Sequence, residues 1–200
     1  MNSSFVDLAQ TVPDLHAEAC YAGSANLTGH PLAGYRAAKA LATREAAAAL
    51  RRAARIAAWF GCTLWVFDAY RPESAVHDLV AWAAAPEDRL TKADYYPKVE
   101  KDQLIPLGYI ADRSAHSRGS TIDLALARHG VPLDYGTHFD FMDESSHHGV
   151  RAFPISIRAR RVMLRLLMRL CGFAAYQNEW WHYRLRKEPY PNTSFDFPIE

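Results

Sequence analysis

The chain has 200 residues, with 23 Lys and Arg against 22 Asp and Glu and a formal net charge of +1 at pH 7. That length suits one compact domain spanning residues 1–200, able to bury roughly 70% of its unfolded surface with no metal or disulfide needed for folding. The charge balance removes the electrostatic case for nucleic acid or an anionic membrane as partner.

In chain order, the N-terminus Met1–Asp7 lacks a basic region and a long apolar run, so it does not read as a secretory signal. Residues 1–40 are turn-rich, punctuated by Pro13, Gly23, Gly29, Pro31 and Gly34. From Thr43, a candidate N-cap with Glu45 in the first turn, the pattern predicts a helix to Phe60, stopped by Gly61. Leu50, Ala53, Ala54, Ala57 and Ala58 would form its core-facing stripe. The Ala-rich run in this helix is broken by Arg51, Arg52 and Arg55, and no stretch approaches the ~20 uncharged apolar residues of a membrane span.

Thr63–Asp68 reads as a buried strand, followed by a turn at Arg71-Pro72 and a helix from Glu73 to Ala84 that Pro86 ends. Residues 87–112 are polar and aromatic and carry few clean signals. Thr121–Ala127 alternates as a strand, with Ile122, Leu124 and Leu126 on one face and Asp123 on the other, free to face a cleft. A polar loop over 128–154 carries His129, His138, His147 and His148. A second strong helical pattern runs from Ile157 to Cys171, stopped by Gly172, and its Arg158, Arg160, Arg161, Arg165 and Arg169 read as a solvated face. Trp180–Leu185 reads as the last strand. The sum is an α+β fold, a small antiparallel sheet covered by helices, with a cleft on the sheet.

Cys20, Cys62 and Cys171 are odd in number and contain no CxxC pair, which argues against a thiolate zinc site or a disulfide framework and for a reducing, cytoplasmic setting. The chemistry is instead concentrated in Ser114-Ala-His-Ser-Arg-Gly-Ser-Thr-Ile-Asp123 and Glu179-Trp-Trp-His182. Gly119 permits a tight turn that folds His116 back toward Asp123, and His182 supplies a third ligand. Three protein ligands with a position left for water describe a catalytic zinc site, one Zn2+ per chain. Glu179 and His182 share a face on a helix but not on a regular strand; the Trp180, Trp181 and Tyr183 aromatics favour strand, so Glu179 is placed in the loop or bulge before it. There it is a spare carboxylate suited to serve as general base and acid for a hydrolysis. Arg71, held by the Pro72 turn and oriented by Asp68 through a bidentate pair, is the candidate cation for a developing oxyanion. The bland alternatives are a satisfied polar histidine, a structural ion pair at Arg71, and solvated histidines at His147 and His148; the two motifs together outweigh them for the metal site.

With those residues in hand, the chain resembles the D-alanyl-D-alanine dipeptidases of the VanX type, within the wider group of zinc D,D-peptidases. The resemblance runs through Tyr21, Asn26-Leu-Thr-Gly29, Phe67-Asp-Ala-Tyr-Arg-Pro72, Ser114 to Asp123, Phe139-Asp-Phe-Met-Asp-Glu144, Glu179-Trp-Trp-His-Tyr183 and Glu188-Pro-Tyr-Pro-Asn192. It implies His116, Asp123 and His182 as zinc ligands, Glu179 as general base, and Arg71 as the transition-state arginine. It also implies a small enclosed site for a free dipeptide, with Ser114, Tyr21, Tyr35 and Asp140 as substrate contacts, and a lid in the Phe139–Glu144 loop. The D,D-stereochemistry comes from the resemblance alone. The implied role is removal of D-Ala-D-Ala in glycopeptide resistance or in catabolism of cell-wall fragments. A D,D-carboxypeptidase acting on longer stems, and a non-catalytic zinc module, are the competing readings.

Overall fold

The computed structural model describes residues 3–200. Its elements in order are β1 (Phe5–Asp7), α1 (Leu8–Thr11), β2 (His16–Ala17), β3 (Leu41–Thr43), α2 (Arg44–Ala58), β4 (Thr63–Asp68), α3 (Glu73–Ala84) and α4 (Lys92–Tyr95). Then follow β5 (Thr121–Arg128), β6 (Val131–Pro132), α5 (Ile155–Leu170), β7 (Phe173–Ala175) and β8 (His182–Leu185). The fold is mixed α+β.

The helices form where period and caps demand. Thr43 caps α2, its hydroxyl accepting from Ala46 N, and Gly61 turns the chain away at φ 64°. The buried face of α2 is wider than the expected stripe, because Ala46, Ala47 and Ala49 join Leu50, Ala53, Ala54 and Ala57. Ala58, the last residue of the helix, is exposed. α2 packs against β4 and α5, and α5 against β7.

The main sheet runs β2-β4-β5-β8-β7, with β6 also paired to β5. It departs from the antiparallel sheet expected from sequence: the two-residue β2 runs parallel to β4, while β4/β5, β5/β8 and β7/β8 are antiparallel. β7 gave no recognisable signal because three residues are too few to show alternation. β5, at the centre, is buried from Thr121 to Ala127 on both faces, not on one as its alternation suggested.

α5 differs from expectation at one position. Arg161 is not on a solvated face: it is 4% exposed, and its guanidinium donates to the backbone carbonyls of Tyr135, Ser145 and His147. His148 is buried nearby, its Nε2 without a hydrogen-bond partner among the described residues. Burial, with the positive charges of Arg165 and Arg161, pushes the His148 pKa down from 6.5 to about 4. A histidine kept neutral in the fold but free to protonate when unfolded contributes stability that is complete above the unfolded pKa and lost as pH falls from about 6.5 toward 4. We therefore expect His148→Gln to flatten the acid side of the stability profile by up to about 3 kcal/mol. Urea unfolding of both proteins at pH 7 and pH 4.5 measures it, and equal pH slopes would refute the assignment.

Candidate functional site

Register between three adjacent strands builds the site. On the central β5, Asp123 lies opposite Asp68 at the end of β4 and opposite His182 at the start of β8. Directly opposed residues on neighbouring strands have Cβ atoms only about 5 Å apart. Two carboxylates and an imidazole therefore stand in one row across the sheet, and the bulge between Val66 and Asp68 re-aims the end of β4 toward them.

His116 joins this row from a one-turn 3-10 helix, Ala115–Arg118, whose N-cap is Ser114. Gly119 ends that turn at φ 76°, where a Cβ would overlap the Phe5 ring. Gly119→Ala thus combines a left-handed backbone with overpacking, and should cost about 3 kcal/mol in chemical unfolding. A loss below about 0.5 kcal/mol, within the range of ordinary surface changes, would show that the turn is not strained.

The His116 Nδ1 donates to the Ala69 carbonyl at 2.6 Å. That bond sets the tautomer and leaves Nε2 as a lone-pair donor facing the row. Nε2 lies 3.2 Å from Asp123 Oδ2 and 3.3 Å from His182 Nδ1. His182 Nδ1 is in turn 3.2 Å from Asp123 Oδ1, which is buried and makes no hydrogen bond. The three ligand atoms lie within 4.8 Å of one another. Two imidazole nitrogens and a carboxylate oxygen, facing one another with one oxygen left unsatisfied, are the donor set of a divalent ion such as zinc.

The electrostatics agree with that fit. Burial works against the charged form of Asp123, but His116 and His182 outweigh it and hold its carboxyl far below the usual range. Burial also works against a charged His182, yet the Asp123 and Glu179 carboxylates beside it push its pKa up to about 10. The pocket is thus arranged to hold positive charge between these carboxylates.

Glu179 lies in the irregular segment between β7 and β8, as its spacing from His182 required. It is 6% exposed, with Oε2 3.3 Å from His182 Nδ1. Arg71 places Nε and Nη2 at 3.0 and 2.9 Å from Asp68, both on the single oxygen Oδ2, so the pair is not the two-oxygen fork expected from sequence. Its Nη2 is 3.8 Å from Asp123, and its guanidinium lies 4.6 Å over the Tyr21 ring. Asp68 does more than orient Arg71: its other oxygen accepts from Tyr35 at 2.6 Å, and Oδ2 stands 3.6 Å from His116 Nδ1.

These groups open on a cleft of about 380 Å³, whose walls include Tyr21, Ser114, Asp140 and Trp181. Asp140 is 3% exposed and accepts from the Tyr21 hydroxyl at 2.7 Å. Its burial holds the carboxyl well above the usual range, although Tyr21 and Arg71 pull the other way. Tyr35 is not among the cleft-lining residues: its hydroxyl is spent on Asp68 behind Arg71, so it supports the arginine rather than reaching a bound ligand. Ser114 does line the cleft, but its Oγ already accepts from His116 N at 3.2 Å. The Phe139–Glu144 segment is a wall and not a lid, because Phe139 stacks on Phe67 at 4.9 Å, and Met142 and Asp143 are buried. Of the two tryptophans, Trp181 faces the cleft while Trp180 stacks on Tyr135 at 4.1 Å. Sequence reasoning missed Tyr109, Tyr176 and Arg184 on the cleft wall. It also missed Glu188, which accepts from both Arg118 and Arg184.

Comparison with known proteins bears on this geometry. The profile of the peptidase M15 family described as D-Ala-D-Ala dipeptidase matches residues 1–200. A D-alanyl-D-alanine dipeptidase of Enterococcus faecium is 44% identical over 202 aligned residues, covering 100% of both chains. One of Streptomyces coelicolor is 42% identical over 201, again covering 100% of both. Among solved structures, a mutant of the vancomycin-resistance D,D-pentapeptidase VanY from a VanB-type cassette, in complex with Zn(II), is similar over 73% of each chain, with a TM-score of 0.44 and 14% identity.

Proposed function

The chain belongs to the D-Ala-D-Ala dipeptidase family, whose members are zinc metallopeptidases, and on that premise we propose that it hydrolyses the free dipeptide D-Ala-D-Ala to two molecules of D-alanine. The observation that carries the proposal is the convergence of His116 Nε2, Asp123 and His182 Nδ1 on one point beside the Glu179 carboxylate. His116, Asp123 and His182 would hold the zinc ion, which would supply Lewis-acid chemistry and bring the pKa of water toward ~7.

The chain's own residues do the rest. Glu179 accepts the proton of the attacking water and returns it to the departing amine nitrogen. Its place against the ligand row keeps it close to the reacting atoms without spending it as a ligand. Arg71 offers N–H groups to the substrate carbonyl oxygen as that oxygen becomes negative, and Asp68 keeps the guanidinium from moving when it does so. Asp140, held by Tyr21, takes the ammonium group of the free amino end, whose positive charge favours the ionised carboxylate that burial alone disfavours. Ser114 and the ring of Trp181 line the cleft beside these groups. The reaction removes D-Ala-D-Ala, either in glycopeptide resistance or in catabolism of cell-wall fragments.

The test measures metal content together with D-alanine released from free and from N-acetylated D-Ala-D-Ala. We expect one zinc ion per chain and release from the free dipeptide, with the acetylated substrate disfavoured at least about tenfold in kcat/KM, because its amide nitrogen cannot pair with Asp140. Equal rates on the two substrates would turn the reading toward a D,D-carboxypeptidase. Zinc bound with no hydrolysis of either would turn it toward a non-catalytic module.

A further inference from the structure

The segment over 134–148 leaves the sheet, brings Asp140 to the cleft, and comes back to where it began. Both of its ends lie against one side chain, that of Arg161 on α5. The Arg161 Nε donates to the Tyr135 carbonyl at 2.8 Å, and Nη1 donates to Ser145 at 2.8 Å and to His147 at 3.1 Å. Tyr135 precedes Asp140 in the chain and Ser145 and His147 follow it, so a single guanidinium ties the two limbs together. Its plane lies 4.7 Å from the Phe153 ring centre.

Nothing in ordinary packing asks for an arginine there. The side chain is 4% exposed, and its hydrogen-bond acceptors are neutral. Burying a cation whose hydrogen-bond acceptors are all neutral is costly even with the Asp134 carboxylate near, and an apolar residue of similar volume would fill the space on α5 more cheaply. Burial accordingly lowers the Arg161 pKa to about 10. What an apolar residue lacks is a planar fork of donors able to reach several carbonyls at once.

The apex of the loop explains why closure is needed. Asp140 has φ 62°, a conformation uncommon for a residue with a Cβ and kept only where the surroundings impose it. The same closure recurs one layer inward, where Thr137 Oγ1 and Ser146 Oγ are 3.0 Å apart and Ser146 Oγ donates to the Phe141 carbonyl. Trp180 Nε1 donates to that threonine at 2.9 Å, and Met142 N donates to Tyr95 O at 2.7 Å.

We infer that Arg161 is a positioning residue for the amino-end subsite: by closing the base of this loop it fixes where the Asp140 carboxylate stands, and so sets the preference for a substrate with a free ammonium group. The inference rests on the reading above that Asp140 pairs with the ammonium, and it extends that reading to a residue outside the cleft.

The test uses the zinc-loaded full chain and three variants, Arg161→Lys, Arg161→Gln and Asp140→Asn, each assayed on free and N-acetylated D-Ala-D-Ala. Lysine keeps the charge but has one Nζ, which cannot serve both limbs. For Arg161→Lys we expect the preference for the free dipeptide to fall about tenfold, through KM for that substrate, with kcat within about twofold of the parent, because a uniform binding contact is what has been displaced. Amide exchange of the 138–142 segment should quicken while that of α5 does not. Arg161→Gln, which retains donors but not the span, gives the same readout should the lysine variant be poorly folded. A merely structural role would lower activity on both substrates alike; an unchanged preference in the Arg161 variants, with Asp140→Asn losing it, overturns the inference and leaves the ammonium reading standing. An unchanged preference in Asp140→Asn itself overturns the ammonium reading, and the inference with it.

Discussion

Glu179→Ala should bind zinc at the parent stoichiometry, unfold at nearly the parent temperature, and lose about a hundredfold to ten-thousandfold in kcat, the range contributed by a well-placed general acid-base group. The proposed ligand set does not include Glu179, and the donor atoms of His116, Asp123 and His182 already lie within 4.8 Å of one another without it. Its carboxylate makes one close polar contact in the site, at 3.3 Å to His182 Nδ1. Truncation therefore removes a group that faces the reacting atoms, not one that holds the fold. The loss should fall on kcat and kcat/KM together, since the proton is in flight only in the transition state. Glu179→Gln separates shape from basicity, because the amide fills the same space but cannot accept a proton from water. Full activity in either variant would take the base assignment away from this residue.

The regular elements were legible because their signals are local. A Thr cap, an acidic first turn and a terminating glycine bound α2, and the spacing of Glu179 from His182 forced the glutamate off the strand before any contact was known. The row Asp68–Asp123–His182 was not legible as a row. Each residue could be placed on its strand, but register between strands far apart in sequence is set by the packed core, not by either segment alone. Tyr35 was misplaced for the same reason: a tyrosine that supports an arginine from behind looks identical in sequence to one that reaches substrate. Arg161 reads in sequence as one of five arginines on a solvated helix face, and only the three carbonyls of a distant loop distinguish it. The Phe139–Glu144 segment read as a lid from its acid and aromatic content, and only the stacking of Phe139 on Phe67 makes it a wall.

Arg71→Ala carries the second large expectation, a fall in kcat of about a hundredfold to a thousandfold with KM changed far less, as for loss of a preorganised donor to an oxyanion. The guanidinium is held before any substrate arrives. Two of its nitrogens bond one oxygen of Asp68, its plane lies over Tyr21, and the side chain is 11% exposed. A donor so constrained loses little freedom when negative charge develops beside it, which is the condition for acting on the transition state more than on the ground state. Arg71→Lys should recover little, because an ammonium cannot bond Asp68 through two nitrogens while still presenting an N–H to the carbonyl oxygen. Asp68→Asn tests the support from the other side: with Arg71 present but less firmly held, kcat should fall by an amount smaller than in Arg71→Ala, and combining the two substitutions should cost less than the sum of their separate effects. A change confined to KM in Arg71→Ala would instead make this arginine a substrate-binding group, and the oxyanion would need another donor.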